Sequence, residues 1–343
     1  MRAAVLKSPR NIEIQEIDKP VITEDEVLVQ LKSCGICTLE QRLFSGDIDL
    51  FYPVVPGHEA AGEIVEIGSR VIGEFYPGMP VALDLVIRCG ECYYCRTGKS
   101  NMCRNRFKKG QRVLGGFAEF MAVQGTQIYP VIKGTGFLEA AFSEPVACCI
   151  RSLKKMELSL AEDILIIGAG TMGILHLQVA LAMGARVFVS DPDASRCKTA
   201  ESLGEYRTIN PGPEDLVSII LAETGERGVD VCVVTSAAPE ALDAGLAALG
   251  KTGRVNIYTS YLENTPIPID ANTVHHNEIV ITGSEARTEY DFHQAVRMIG
   301  FKKIDVAPLI SKVIGFDEIE KGFSDAADPA TFRILLEHER LAG

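Results

Sequence analysis

The chain has 343 residues, 47% apolar and 23% charged, the balance of a soluble globular protein with roughly two domains. A formal net charge of −12 repels phosphate backbones and anionic lipid, and no apolar run is long enough to span a bilayer, so neither nucleic acid nor a membrane is an expected partner. Ten cysteines without a sustained apolar stretch near the N-terminus argue against a secreted disulfide scaffold and point to the cytoplasm, with thiols used for metal.

The chain opens on a strand, a turn at Ser8-Pro9-Arg10-Asn11 and a second strand. Up to about residue 150, short strand signals and Gly/Pro turns follow one another, as in EVLVQLKSCGIC, PVVPGHEAAGEIVEIG and GGFAEFMAVQ. Alternation over Val27–Leu31 and Gly62–Ile67 predicts half-buried strands in a compact, largely antiparallel β region. Within it, RCGECYYCRTGKSNMC brings Cys89, Cys92, Cys95 and Cys103 close together. Four thiolates can surround one tetrahedral Zn²⁺ at about 2.3 Å and leave no open position, so such a metal holds a lobe together. Disulfides or unrelated buried cysteines do not account for the regular spacing.

After about Cys149 the pattern changes. Ile164–Ile167 reads as a buried strand and Thr171–Met183 as a helix with apolar positions at Met172, Leu175, Val179 and Ala182. Val187–Val189, the helix Ala194–Leu203, Val231–Val234 and Val255–Tyr258 continue the series, and Ile279–Thr282 reads as a closing strand. Strands alternating with helices predict a doubly wound parallel sheet. A helix in DFHQAVRMIG and a strand in FRILLEH end the chain.

Gly168-Ala169-Gly170-Thr171-Met172-Gly173 follows a strand and opens a helix, the context in which GxGxxG binds a dinucleotide. The first glycine permits a tight turn, the second lets backbone approach a pyrophosphate, and the third allows close helix–strand packing. Free N–H groups at the helix start, Thr171 and Met172 among them, face the phosphates. Asp191 ends the next strand, where a carboxylate accepts from a ribose 2′-OH and repels a 2′-phosphate; NAD(H) is therefore expected over NADP(H). Arg196, five residues on, softens that preference. His176 is expected as a packed or partly exposed helix residue.

Three other segments carry ligand-capable side chains: Cys34-Gly35-Ile36-Cys37, Gly57-His58-Glu59 and Ser143-Glu144-Pro145, each expected at a turn or strand end. Cys37, His58 and one or both of Glu59 and Glu144 offer S, N and O donors to a catalytic Zn²⁺ with an open position. Cys34 is expected to pack as a small hydrophobe.

GICTLE, GHEAAGEIVEIG, the four-cysteine lobe, GGFAEF, SEP and GAGTMG occur in the order found in medium-chain zinc-dependent alcohol and polyol dehydrogenases, and the chain resembles that family over essentially its whole length. The resemblance implies an α/β protein: a GroES-like β catalytic domain over 1–149 and 288–343, with the zinc lobe at 88–104, and a Rossmann NAD-binding domain over 150–287. It implies that Cys37 and His58 bind the catalytic zinc, that Glu59 binds it or exchanges with water, and that an acid at Glu144 leans toward the sorbitol- and threonine-type branch. The family's proton-relay Ser/Thr is replaced by Leu39, leaving Thr38, Glu59 or a metal-held water for that role. Glu40 stands for the usual supporting Asp, with one more methylene of reach.

The function expected from these motifs is oxidation of a secondary alcohol or polyol to the ketone with NAD, the zinc acidifying the substrate hydroxyl. Alternatives are a threonine-type amino alcohol, a sugar-alcohol phosphate read by Arg42, Arg88 or Arg287, and a zinc- and nucleotide-binding module with little activity. Leu39, Phe44, Tyr52 and Phe117 are candidate pocket walls. The resemblance also implies a homodimer or homotetramer through the Rossmann edge at Val255–Ser260 and Ile279–Ser284.

Overall fold

Apolar alternation at the start of the chain folds as a hairpin: β1 (Arg2–Ser8) pairs antiparallel with β2 (Asn11–Glu16), and Arg10 takes a left-handed φ of 60° in the turn. A computed structural model describes residues 1–48, 52–106, 114–261 and 266–339. The chain divides into one unit of residues 1–147 with 287–343 and another of residues 148–286. Residues 340–343 of the expected C-terminal segment lie outside the described residues.

The first unit continues with β3 (Glu26–Ile36), α1 (Thr38–Ser45), β4 (Glu59–Ile67), β5 (Pro80–Asp84), α2 (Tyr93–Arg96), β6 (Phe120–Gln124), β7 (Ile128–Pro130) and α3 (Phe137–Ala141), and α4 (Ser143–Lys155) begins in it. β3 is the axis of its sheet. One edge pairs with β4, while the other carries β6 along Glu26–Gln30, all antiparallel. The alternation in β3 predicted a half-buried strand. Instead Val27, Leu28, Val29 and Leu31 are all buried, because apolar residues cover both faces of this central strand.

The second unit is a six-stranded parallel sheet. It comprises β8 (Asp163–Ile167), α5 (Thr171–Ala182), β9 (Arg186–Ser190), α6 (Ala194–Glu201), β10 (Arg207–Ile209), α7 (Leu216–Glu223), β11 (Val229–Val234), α8 (Pro239–Ala248), β12 (Leu249–Ile257), α9 (Ala271–His276) and β13 (Val280–Gly283). The strand order is β10-β9-β8-β11-β12-β13, the doubly wound Rossmann arrangement. Its order reverses between β8 and β11, so the turn after β8 lies at the switch point where such sheets bind ligands. The stripe expected on α5 is too narrow: Gly173 to Ala180 are buried all round, whereas Ala182 is exposed.

The chain returns to the first unit through α10 (Glu289–Gly300), β14 (Ile310–Ile314), α11 (Ile319–Ala326) and β15 (Arg333–Glu337). β14 and α11 extend the single helix and strand expected there; each is at most eight residues long, too short for a clear period. β15 pairs antiparallel with β3 over Ser33–Ile36, which sets the start of β15 beside the start of α1. No helix among the described residues is long and apolar enough to cross a membrane.

Candidate functional site

Three backbone junctions in the first unit bring the second set of ligand-capable side chains together. Cys37 is the N-cap of α1, at the end of β3; His58 immediately precedes β4; Glu59 opens β4 and lies opposite Gly35 of β3. A side chain at Gly35 would sit 2.1 Å from Glu59 Oε2, so the missing Cβ makes room for this carboxylate. One donor atom each from Cys37, His58 and Glu59 lies within 4.8 Å of the others. Cys37 Sγ and His58 Nε2 are 3.8 Å apart, against ~3.6 Å between S and N donors on one tetrahedral Zn²⁺.

Glu40 fixes this geometry from behind. Its carboxylate, fully buried, accepts from the Cys37 N–H at 3.1 Å and from the Gly57 N–H at 3.3 Å. It also lies 2.6 Å from His58 Nδ1, which leaves Nε2 facing Cys37. The extra methylene relative to aspartate is thus used to span from the first turn of α1 to the histidine.

Arg333, the first residue of β15, is buried and pairs with Glu59 at 3.0 Å while donating to the Ile36 carbonyl at 3.2 Å. Glu144 was expected at a turn or strand end; it stands in the first turn of the 13-residue helix α4. Its Oε1 is 3.9 Å from His58 Nε2 and is bonded to the buried Arg287 guanidinium. Glu144 is therefore at the border of the cluster, outside its tightest three donors.

The acids outnumber the bases here. Cys37, Glu40, Glu59 and Glu144 face Arg287 and Arg333, so with the acids ionised and His58 neutral, as a metal ligand must be, two negative charges are left over, which one divalent cation balances. Without a metal the anions are disfavoured. Burial pushes the Glu59 carboxyl up to about 7, against the pull of Arg333, and burial likewise raises the Cys37 thiol. Burial alone would discharge His58, but Glu40 and Cys37 raise its pKa well above the ordinary value.

The four lobe cysteines also converge. Their sulfurs lie within 4.8 Å of one another, with Cys89 3.6 Å from Cys103 and 4.0 Å from Cys95. Four sulfurs on one tetrahedral Zn²⁺ are ~3.8 Å apart; a disulfide would need about 2.05 Å. Backbone N–H groups aimed at the sulfurs hold the Cys89 and Cys92 thiols below their ordinary value, Cys92 at about 6, which favours the metal-binding thiolate. Burial raises Cys95 to about 12.

In the second unit the glycine turn has the form its sequence predicts. Gly168 has φ 102°, and a Cβ on Gly173 would overlap the Gly168 carbonyl oxygen at 1.7 Å. Gly170 is the N-cap of α5, and the nearest atom to a Cβ there is on Arg196, at 3.7 Å, so backbone is approachable from that side. Thr171 and Met172 form the first turn of α5. Asp191 is buried, and both its oxygens accept backbone N–H bonds, from Ala169 at 2.7 Å and Asp193 at 2.8 Å. It braces the turn, a role beyond the ribose contact expected of it, and an ionised carboxylate retains lone pairs for further donors. Arg196 Nη1 is 3.7 Å from Asp191 Oδ2.

Several expected site residues are elsewhere. Thr38 is exposed at the start of α1, and Leu39 packs on the apolar core. Phe117 is fully buried; Phe44, which stacks on Phe323 at 4.6 Å, and Tyr52, whose hydroxyl donates to the Leu43 carbonyl at 2.6 Å, are partly buried against the same core. Arg88 and Arg287, candidates for a substrate phosphate, are instead bonded to Asp84 and, for Arg287, to Glu144. Cys34 is buried as expected. His176 is fully buried, 2.7 Å from the Met172 carbonyl, and burial lowers its pKa to about 4, as for a packed residue. The sequence reading missed Arg333. Its signal was a lone arginine in the apolar run FRILLEH, since a buried arginine needs an anionic partner.

Residues 23–133 match the alcohol dehydrogenase GroES-like domain, and residues 171–300 match the zinc-binding dehydrogenase domain. The L-threonine 3-dehydrogenase of Pyrococcus horikoshii is 32% identical over 318 residues, 91% of this chain and 90% of that protein. The chain belongs to the zinc-dependent medium-chain dehydrogenase family. Its fold is the family's GroES-like domain joined to a Rossmann domain, and its class of activity is that of an oxidoreductase. The D-arabitol-phosphate dehydrogenase of Enterococcus avium is 28% identical over 326 residues, covering 94% of this chain and 92% of that protein. A crystal structure of a putative zinc-binding dehydrogenase from Sinorhizobium meliloti, bound to NADP, superposes with a TM-score of 0.91 at 27% identity, covering 98% of each chain.

Proposed function

We propose that this dehydrogenase oxidises a secondary alcohol or polyol to the ketone with NAD, using one Zn²⁺ held by Cys37, His58 and Glu59 and a second held by the four lobe cysteines. The observation that carries the reading is the S, N and O donor set of Cys37, His58 and Glu59, oriented by Glu40. When bound, zinc supplies Lewis acidity that acidifies a substrate hydroxyl, and the nicotinamide supplies the hydride acceptor.

The chain's own residues do the rest. Glu40 keeps the proton on His58 Nδ1 and so presents Nε2 as the donor. Leu39 cannot relay a proton and Thr38 faces solvent. The carboxylates of Glu59 and Glu144 are then the acceptors near the donor set that can take the hydroxyl proton, each poised by an arginine. Gly168, Gly170 and Gly173 shape the turn for the cofactor's pyrophosphate, and Asp191 braces it.

A second reading is an amino alcohol of the threonine type. The 32% identity to the L-threonine 3-dehydrogenase of Pyrococcus horikoshii supports it. A phosphorylated polyol draws less support, because two of its three candidate arginines, Arg88 and Arg287, are already paired with Asp84 and Glu144.

The test is NADH formation by zinc-replete protein with simple alcohols, sugar alcohols, inositols, threonine and sugar-alcohol phosphates, run with NAD and with NADP. The expected outcome is turnover of an unphosphorylated secondary alcohol with NAD. Asp191→Ala should raise the Kd for NAD by ~10-fold and narrow the gap to NADP, by analogy with the loss of one good charged hydrogen bond. An unchanged preference would remove Asp191 from cofactor selection. Silence across the whole panel, with zinc and NAD bound, would instead support a non-catalytic module.

We further propose a homodimer or homotetramer formed through β13. This strand ends the parallel sheet with Val280 half-exposed, and an unpaired edge is a liability in a monomer. A monomeric mass by light scattering would contradict this assembly.

A further inference from the structure

A buried chain of charges runs toward the metal cluster through Arg287 and Glu144, and the proposed chemistry gives no role to its remaining members, Asp84 and Arg88. Asp84, the last residue of β5, is fully buried. Its Oδ1 accepts from Arg287 Nη2 at 2.9 Å, and its Oδ2 accepts from Arg88 Nη1 at 2.7 Å. Arg88 donates with its other terminal nitrogen to the Arg287 backbone carbonyl at 2.9 Å. Arg287 in turn bonds Glu144 through Nη1. One acid therefore holds both guanidinium groups, and one of those holds the carboxylate that stands 3.9 Å from His58 Nε2.

Each link restricts the next. A guanidinium is a rigid planar fork, so anchoring Nη2 on Asp84 fixes the direction in which Nη1 points. Arg88 pins the Arg287 main chain as well, which leaves the fork little freedom to swing. Glu144 is in the first turn of α4, where a carboxylate side chain has several rotamers. Its bond to the buried Arg287 favours the one that brings the carboxylate within 3.9 Å of His58 Nε2.

We infer that Asp84 is a positioning residue, which acts through Arg287 to tether the Glu144 carboxylate beside the catalytic metal and keep it from binding the metal as a ligand. The inference rests on the reading of Cys37, His58 and Glu59 as the catalytic zinc site. It separates the two acids of that site: Glu59 serves the metal, and Glu144 serves the substrate hydroxyl.

The test uses the zinc site loaded with Co²⁺, whose visible bands report the number and kind of donors. The difference between the Co²⁺-loaded protein and the Co²⁺-loaded Cys37→Ser variant isolates this site from the lobe. Glu144→Gln should leave that spectrum unchanged. Asp84→Asn should shift it, because the released Glu144 reaches the metal, and the double variant should return to the wild-type spectrum. In turnover, Asp84→Asn should lower kcat by about 10- to 100-fold with KM little changed. In the Glu144→Gln background the same substitution should cost nothing more. A purely structural role for Asp84 predicts the opposite: identical cobalt spectra and losses that multiply in the double variant.

If Asp84→Asn does not fold, Arg88→Lys reads the same chain, since a single ammonium cannot hold both Asp84 and the Arg287 carbonyl in the fork geometry. A smaller shift of the same kind is expected, and no shift would overturn the inference. A shift in Glu144→Gln alone would make Glu144 a ligand and would also overturn it. Absence of any thiolate-to-cobalt band from Cys37 would bring down the site assignment itself, an outcome distinct from the others.

Discussion

Replacing Cys37 with serine is expected to reduce kcat/KM by ~10³-fold or more, equivalent to the loss of ~4 kcal/mol of transition-state stabilisation. Cys37 is the one sulfur donor in its cluster, and it also caps α1, where its sulfur accepts from the Leu39 N–H at 3.4 Å. Serine can keep the cap but is a poor zinc donor, so α1 should persist while metal affinity falls. Elemental analysis should find one zinc per chain in place of two. NAD binding should be retained, because the glycine turn and Asp191 belong to the other compact unit. Near-normal turnover in this variant would refute the role given to the metal.

Replacing Cys92 with serine should do the reverse. The lobe carries α2 of only four residues and little apolar surface, so its sulfur cluster is the principal means of holding its shape. The expected cost is about 3 kcal/mol or more, or ~10 °C in Tm for a unit of this size, with the per-site rate of the remaining folded protein changed less than threefold or so. Calorimetry and active-site titration separate the two quantities. A variant that stayed as stable as the wild type and lost only chemistry would mean that the two metal assignments are interchanged.

The two outcomes differ because the sites differ in closure. Four thiolates fill a tetrahedral zinc, whereas Cys37, His58 and Glu59 leave a position for substrate. The supporting groups differ too. Backbone N–H groups steady the lobe sulfurs, and buried acids and arginines steady the catalytic set. A lobe held by its own backbone needs only local sequence, while the other set needs strands from both ends of the chain.

That contrast explains what could be read from the sequence. The lobe cysteines and the glycine turn are local: their spacing is the signal, and the structure brings them together as spaced. The alternating strand and helix runs after residue 150 likewise gave the parallel sheet, since each period is set within one element. The supporting shell is not local. Arg333 meets Glu59 only because β15 pairs with β3, and Arg287 meets Glu144 and Asp84 across more than 140 residues of chain. No spacing rule encodes such pairs. What the sequence does carry is the mismatch of a charged residue in an apolar run, as at Arg333, which signals a partner without naming it.

Burial was legible only where one face is solvated. Apolar residues on both faces of β3 and the residues all round α5 from Gly173 to Ala180 are buried, so alternation in one and a stripe in the other overstated their exposure. Thr38 and Leu39 show a related limit. Their order after Cys37 is fixed by sequence, but the direction each faces follows from α1 starting at Thr38, which turns the hydroxyl to solvent and Leu39 to the core.

The most direct test of the account is the dependence of NADH formation on the metal at Cys37, His58 and Glu59. Protein with both sites filled would be compared with protein from which a chelator has removed the metal of this site alone, and then with the same sample after Zn²⁺ is restored. The account predicts turnover of a secondary alcohol in the first, none in the second and recovery in the third. Undiminished NADH formation with that site emptied would contradict it.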